Sequence, residues 1–245
     1  MNRKTVALVA VFAALYFVLS MLPGIPVVGL PQITIELEAS FASIFGAILG
    51  PYAGGLAAFI GAVIAFAYGG ASPYNLPFIF SPAVNAITVG FIFRRNFKAA
   101  AAIMAVIIIA FWLTPVAQPV QEHWMVGLAA TFDKIIALAL IAPAAWMLAR
   151  GGALSGEGGV RASALTFVQL FLVSFIGNQA DSALGSTVFA TPIVYSGVFG
   201  LTLEVTRWLF VVSPFVYPAI RLIQALLAAV VGLPLMKALE ARGWL

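Results

Sequence analysis

Long apolar runs alternate with short polar or glycine- and proline-rich breaks along the whole chain. A bilayer core about 30 Å thick takes about 20 residues of helix, and on that ruler the pattern predicts eight helices. The first covers 5–22, is too long for a signal-peptide core, lacks a small-x-small cleavage site, and stops at Pro23. Residues 23–40 form a loop in which Ile33 to Glu38 alternate apolar and polar positions, as a strand does. A short second helix at 39–49 stops at Gly50-Pro51, and a third at 52–68 stops at Gly69-Gly70. The fourth covers 76–93, the fifth 99–117 and the sixth 124–148. After a glycine-rich polar loop at 150–161 comes a seventh helix at 162–177. The segment 178–206 is mixed, with room for a re-entrant or interfacial piece. The eighth helix begins between 208 and 218 and reaches 239, with Pro214 and Pro218 best accommodated in a first turn.

Composition turns this pattern into a class. The chain of 245 residues is 63% hydrophobic and 8% charged, where a soluble domain carries roughly a quarter charged residues. The fold class expected is therefore an all-α integral membrane bundle at the cell membrane. Cysteine is absent and His123 is the single histidine, which leaves no thiolate or histidine cluster for a metal and implies no cofactor. The net charge of +4 does not point to nucleic acid, because the basic residues sit in short clusters between apolar runs. With the N-terminus inside, Arg3, Lys4, Arg94, Arg95, Lys98, Arg150, Arg161, Lys237 and Arg242 all fall on the cytoplasmic side. An even number of crossings then returns the C-terminus inside as well. Lys134, Arg207 and Arg221 are the exceptions, within helices or at an outer helix end.

Ionisable and amide side chains inside apolar helices need a reason to be there. Asp133 lies well inside the sixth helix; Lys134 follows it, about 100° away around the axis, so the two are not an ideal pair. Asp133 then suits a substrate hydrogen bond or a cation on another helix. Arg221, in the outer part of the last helix, offers a forked guanidinium to a ligand anion, to headgroups, or to Asp133 or Asp181. Asn178, Gln179 and Asp181 form the densest polar group, at the expected outer end of the seventh helix, where they either contact ligand or cap orphan carbonyls. Asn75 at the outer start of the fourth helix is a ligand contact or an N-cap, and Asn85 within it needs an interhelical or ligand partner. Glu36 and Glu38 share one side of the strand-like run and are solvated or hold a cation. Glu204 and Arg207, three apart, are expected to pair. Trp112, Trp124 and Trp208 fit an interfacial belt, and His123 beside Glu122 reads as a surface residue. Small residues recur four apart, as at Ala10 and Ala14, and at Gly46, Gly50 and Gly54. Such spacing allows close backbone approach, within one bundle or to a partner.

The stretch 39–70, with its short glycine-rich helix, the turn Gly50-Pro51-Tyr52-Ala53-Gly54 and the small-residue helix after it, resembles substrate-binding S components of energy-coupling factor transporters. Ala10-x-x-x-Ala14 is similar to the family's alanine motif. Ser81-Pro82-Ala83 with Gly90, and the closing pair with Ile220-Arg221-Leu222-Ile223-Gln224 and Gly232-Leu233-Pro234-Leu235, are similar to later helices of that family. The resemblance covers 5–98 and 162–239. It implies a six-helix core, with the fifth and sixth helices as an inserted hairpin. The chain then reads as one transmembrane domain: helices one to four over 1–98, the hairpin and cytoplasmic loop over 99–161, and the closing helices over 162–245.

The resemblance further implies capture of a vitamin-like small molecule at the extracellular side. A membrane-embedded coupling subunit would meet the face of Ala10 and Ala14, and two cytoplasmic ATPases would drive import. Asn75, Asn85, Asp133, Asn178, Gln179, Asp181 and Arg221 are the candidate substrate contacts. No G-x-x-x-x-G-K-[ST] pattern is present, so an ATPase would have to be a partner. A structural scaffold with similar helix packing and a stand-alone secondary transporter stay open as alternatives. An intramembrane enzyme is the weakest reading, since no histidine pair or paired carboxylates share a helix face.

Overall fold

The computed structural model describes residues 3–27, 30–35, 38–150 and 160–242. Glu36 and most of the expected loop at 150–161 lie outside the described residues. Helix α1 (Arg3–Leu19) leads into an antiparallel pair of short strands, β1 (Ile25–Val27) and β2 (Leu30–Ile35), with Ile25 opposite Ile35. The strand-like alternation thus belongs to a real strand, displaced a few residues towards the N-terminus. Helices α2 (Ala39–Leu49), α3 (Pro51–Tyr68), α4 (Ser81–Phe93), α5 (Phe97–Trp112) and α6 (Val120–Arg150) follow. A 3₁₀ turn at Leu76–Phe78 precedes α4. The chain continues through α7 (Val160–Phe189), a π-helical turn (Ile193–Val198), α8 (Leu203–Val212), a 3₁₀ turn (Ser213–Phe215) and α9 (Tyr217–Ala241).

Four helical stretches among the described residues are long and apolar enough to cross a bilayer: Pro51–Tyr68, Leu76–Phe93, Val120–Ala149 and Tyr217–Ala241. Two expectations are corrected at the C-terminal end. Helix α7 does not stop at Gly177 but continues twelve residues to Phe189. The last predicted helix is two, a short α8 and the long α9, with Pro218 in the first turn of α9 where proline costs no hydrogen bond.

The break between α2 and α3 follows from two residues. Gly50 adopts φ +81°, a left-handed conformation open to glycine, and Pro51 opens α3 at a position whose N–H would be unpaired anyway. Asn96 caps α5 by accepting from the Ala99 N–H at 3.3 Å, and Thr202 caps α8 by accepting from Val205 at 3.3 Å.

Helices α4 and α7 form the middle of the bundle. Helix α4 packs on α2, α3, α5 and α7, and α7 packs on α4, α5, α6 and α9. The approach of α2 to α4 is so close that a side chain at Gly46 would overlap the Ala86 carbonyl. Helices α5 and α6 share one core with the rest: Ala100, Met104, Ala137 and Ile141 pack with Val89 of α4 and with Val173 and Ile176 of α7.

Candidate functional site

A cavity of about 360 Å³ lies among α1, α2, α3, α4, α6, α7, α8 and α9, near the end of the bundle opposite the α2–α3 and α4–α5 turns. Pockets for small organic ligands start at about 300 Å³. Much of its wall is aromatic or small: Tyr16 from α1, Ala62, Ala65 and Phe66 from α3, Phe78 and Pro82 before and in α4, Gly185 and Phe189 from α7, and Phe210 from α8. Phe189 and Phe210 meet edge-on with centroids 5.9 Å apart, and Phe189 meets Phe199 in the same way at 5.4 Å. Such edge-to-face pairs hold rings in fixed orientations.

Set into this wall are Lys134 from α6, Asp181 and Ser182 from α7, and Tyr217 and Arg221 from α9. Lys134 Nζ donates to Asp133 Oδ2 at 3.2 Å and lies 2.9 Å from Oδ1, which also accepts from the Lys134 backbone N–H at 3.0 Å. The expectation that these neighbours make a poor pair is therefore corrected. The lysine has a four-carbon flexible stem, and in a site only 4% exposed it folds back onto the nearest carboxylate. Arg221 Nη1 donates to Gln224 Oε1 at 2.8 Å, one turn along α9, and Nη2 stands 4.0 Å from Asp181 Oδ1.

The remaining predicted residues separate into two groups. Asn75 lines the cavity with Asp181 and Arg221; it is exposed, and its side chain makes no capping bond. Asn85, Asn178, Gln179 and Asp133 stand outside the wall. Asn85 is fully buried in α4, accepts from Ser43 Oγ at 2.8 Å, and donates to the Ala39 carbonyl at 3.1 Å and to Asn178 Oδ1 at 2.9 Å. It thereby ties α2, α4 and α7 together directly beneath the cavity residue Ala39. Asn178, Gln179 and Asp181 are not at a helix end, because α7 runs on past them; all three are buried. Glu38 is buried too, not solvated.

Arg207 does not pair with Glu204. Its guanidinium donates to three carbonyls of the α5–α6 connection: Val116 at 3.1 Å, Pro115 at 3.0 Å and Gln118 at 2.7 Å. Trp124 and Trp208 are exposed as an interfacial belt requires, whereas Trp112 donates its indole N–H to Thr131 Oγ1 at 3.2 Å. Ala10 and Ala14 are exposed on α1, whose packed face is Val9, Phe12, Ala13 and Tyr16. Among the described residues no group of three or more histidine, cysteine or acidic side chains gathers to hold a metal.

Sequence reasoning missed Lys134, Tyr217 and the aromatic wall as cavity residues. A lysine beside an aspartate inside an apolar helix was the available signal for the first. The aromatics carried none, since each occupies an ordinary apolar position and they converge only through tertiary packing.

No curated protein and no solved structure matches the chain. A family model, described as ECF-type riboflavin transporter, S component, matches residues 1–149, which include α1 to α6 apart from the last residue of α6. Members of that family are membrane-embedded substrate-binding subunits of transporters and not enzymes, and they work with a transmembrane component and ATPases. With well over half of its length matched, this multi-pass membrane protein belongs to the family of ECF-type riboflavin transporter S components.

Proposed function

We propose that the chain captures riboflavin or a closely related flat-ringed small molecule in the cavity, from the extracellular side, for ATP-driven import. The observation that carries this is the cavity itself: ligand-sized, walled by Tyr16, Phe66, Phe78, Phe189 and Phe210, and set with a few polar groups. That mixture of apolar surface and sparse polar groups is what orients a small ligand. A purely structural scaffold has no use for it.

Chain direction supports the sidedness. Arg94, Arg95 and Lys98 follow α4, and Lys237 and Arg242 close α9, at the ends of these helices remote from the cavity. Basic residues favour the cytoplasmic face, so the cavity opens outward and eight crossings bring both termini inside. A coupling subunit with two ATPases supplies the energy, and the exposed Ala10 and Ala14 of α1 are the surface offered to it. Small residues there let a partner helix approach closely.

The test is riboflavin binding by the full chain purified in detergent, followed by quenching of flavin fluorescence. Saturable one-to-one quenching is expected, weakened at least tenfold in Phe189→Ala; absence of binding to the wild-type chain sinks the reading. In vesicles containing the coupling module, Ala14→Trp is expected to abolish uptake while leaving binding within about twofold. Loss of binding in that variant would make Ala14 a packing residue instead.

A further inference from the structure

The charge of the ligand is written into the cavity wall, and this step rests on the capture reading above. Among the described residues three charged side chains line the cavity, Lys134, Arg221 and Asp181, each more than nine-tenths buried at 4%, 8% and 7% exposure. Two are cations and one is a carboxylate. The second carboxylate, Asp133, is not part of the wall; it holds Lys134 Nζ at 2.9 Å.

Arg221 is compensated far less well. Its approach to Asp181 is 4.0 Å, against about 2.7–2.9 Å for a charge-assisted hydrogen bond. One Nη1 proton goes to the neutral Gln224 oxygen, and Nε is buried with no hydrogen-bond partner among the described residues. A guanidinium carries five N–H donors in a planar fork that matches two oxygens of one acid group. Lys134 is held by its own carboxylate at 2.9 Å, so Arg221 is the cation of the wall with the more distant counter-charge. A neutral ligand can accept from Nε through a carbonyl or hydroxyl oxygen, but it brings no charge to the guanidinium. A cationic ligand would meet the Arg221 charge directly, with Asp181 as the one carboxylate of the wall among the described residues.

We infer that the cavity is built for an acidic flat-ringed ligand, whose carboxylate or phosphate ester seats on the Arg221 guanidinium. The ring system then occupies the aromatic part of the wall between Phe189 and Phe66.

The matched probes are riboflavin and riboflavin 5′-phosphate, which share one ring system and differ by an acidic group. Equilibrium titrations of each use the full chain in detergent, as wild type, Arg221→Gln and Arg221→Lys, with thermal unfolding recorded for all three. The wild type is expected to bind the phosphate at least tenfold more tightly. That preference should shrink below threefold in Arg221→Gln and be partly kept in Arg221→Lys, which retains the charge without the fork. Equal or tighter binding of riboflavin by the wild type overturns the inference and leaves capture standing. A phosphate preference unchanged in a folded Arg221→Gln overturns the role of Arg221. If Arg221→Gln does not fold, the wild-type comparison and Arg221→Lys still decide. Binding of neither probe removes the inference together with the flavin reading on which it rests.

Discussion

Replacing Arg207 by methionine removes the three hydrogen bonds that fasten α8 to the turn between α5 and α6. The donors reach the carbonyls of Val116, Pro115 and Gln118 at 3.1, 3.0 and 2.7 Å. A hydrogen bond involving a charged group contributes about 1.5–3 kcal/mol when protected from water. Arg207 is half-buried, and the Pro115 carbonyl it serves regains water when the side chain is truncated. The sum therefore falls to about 2–4 kcal/mol. Methionine keeps most of the stem's packing, so little is lost besides these bonds. For a chain of this size each kcal/mol moves the midpoint by about 2–4 °C. Arg207→Met is expected to unfold roughly 5–15 °C below the wild type in detergent, followed by circular dichroism. Because α8 supplies Phe210 to the cavity, ligand affinity should fall too. Glu204→Gln is the control. Glu204 is exposed in the first turn of α8, where the helix dipole favours it by less than about 1 kcal/mol. If Glu204→Gln costs as much as Arg207→Met, the pair expected from sequence exists after all. If Arg207→Met stays within about 0.5 kcal/mol of the wild type, the three bonds fasten nothing.

Three further outcomes follow from buried contacts. Asn85→Ala leaves Ser43, Asn178 and the Ala39 carbonyl each short of a partner and is expected to destabilise by about 3–5 kcal/mol in chemical denaturation; a loss under about 1 kcal/mol would mean that water or rearranged side chains replace it. Lys134→Met strands Asp133 at 3% exposure and should cost about 3–5 kcal/mol, most of it recovered in Asp133→Asn/Lys134→Met; a double variant no better than the single one would refute the pairing. Gly61→Ala places a Cβ 2.6 Å from Tyr16 Cβ and 2.9 Å from the Ala13 carbonyl, so α1 and α3 must part at a cost of about 1–3 kcal/mol; an unchanged melting midpoint and unchanged riboflavin affinity would show that α1 yields freely.

Local breaks were legible in the sequence, and distant partners were not. Gly50-Pro51 ends one helix and opens the next because backbone conformation and a missing N–H act within two residues. Gly177 misled for an instructive reason. Its cost to a helix, about 1 kcal/mol relative to alanine, reads as a terminator when followed by Asn178, Gln179 and Asp181. In the folded chain a Cβ there would overlap Asn85 and Val89, so the glycine admits α4 against α7 and the helix continues. Asn178, Gln179 and Asp181 after it therefore lie inside the bundle, and of these three Asp181 reaches the cavity. Arg207 illustrates the opposite limit: its acceptors lie some ninety residues away in sequence, and nothing near Arg207 announces them. Helical period finds the packed face of one helix, but a cavity assembled from eight helices has no period.

Helix α1 joins the two ends of the proposed import cycle. Its packed face carries Tyr16, which lines the cavity, and Ala13, whose carbonyl lies against Gly61. Its exposed face carries Ala7, Ala10 and Ala14, three and four residues apart. In water such an alanine face would mean nothing. In a bilayer it gains little from lipid tails, and it gains more from a second helix that can come close. Tyr16 and Ala14 are two residues apart, about 200° around the axis and some 3 Å along it. Both therefore belong to the same hydrogen-bonded turn of α1. A ligand whose binding moved the backbone at Tyr16 would also move the turn that presents Ala14, and a partner that moved that turn would move Tyr16 in return. Any differential affinity of the partner for the two positions of that turn then couples ligand occupancy to docking, by equal free energies in both directions.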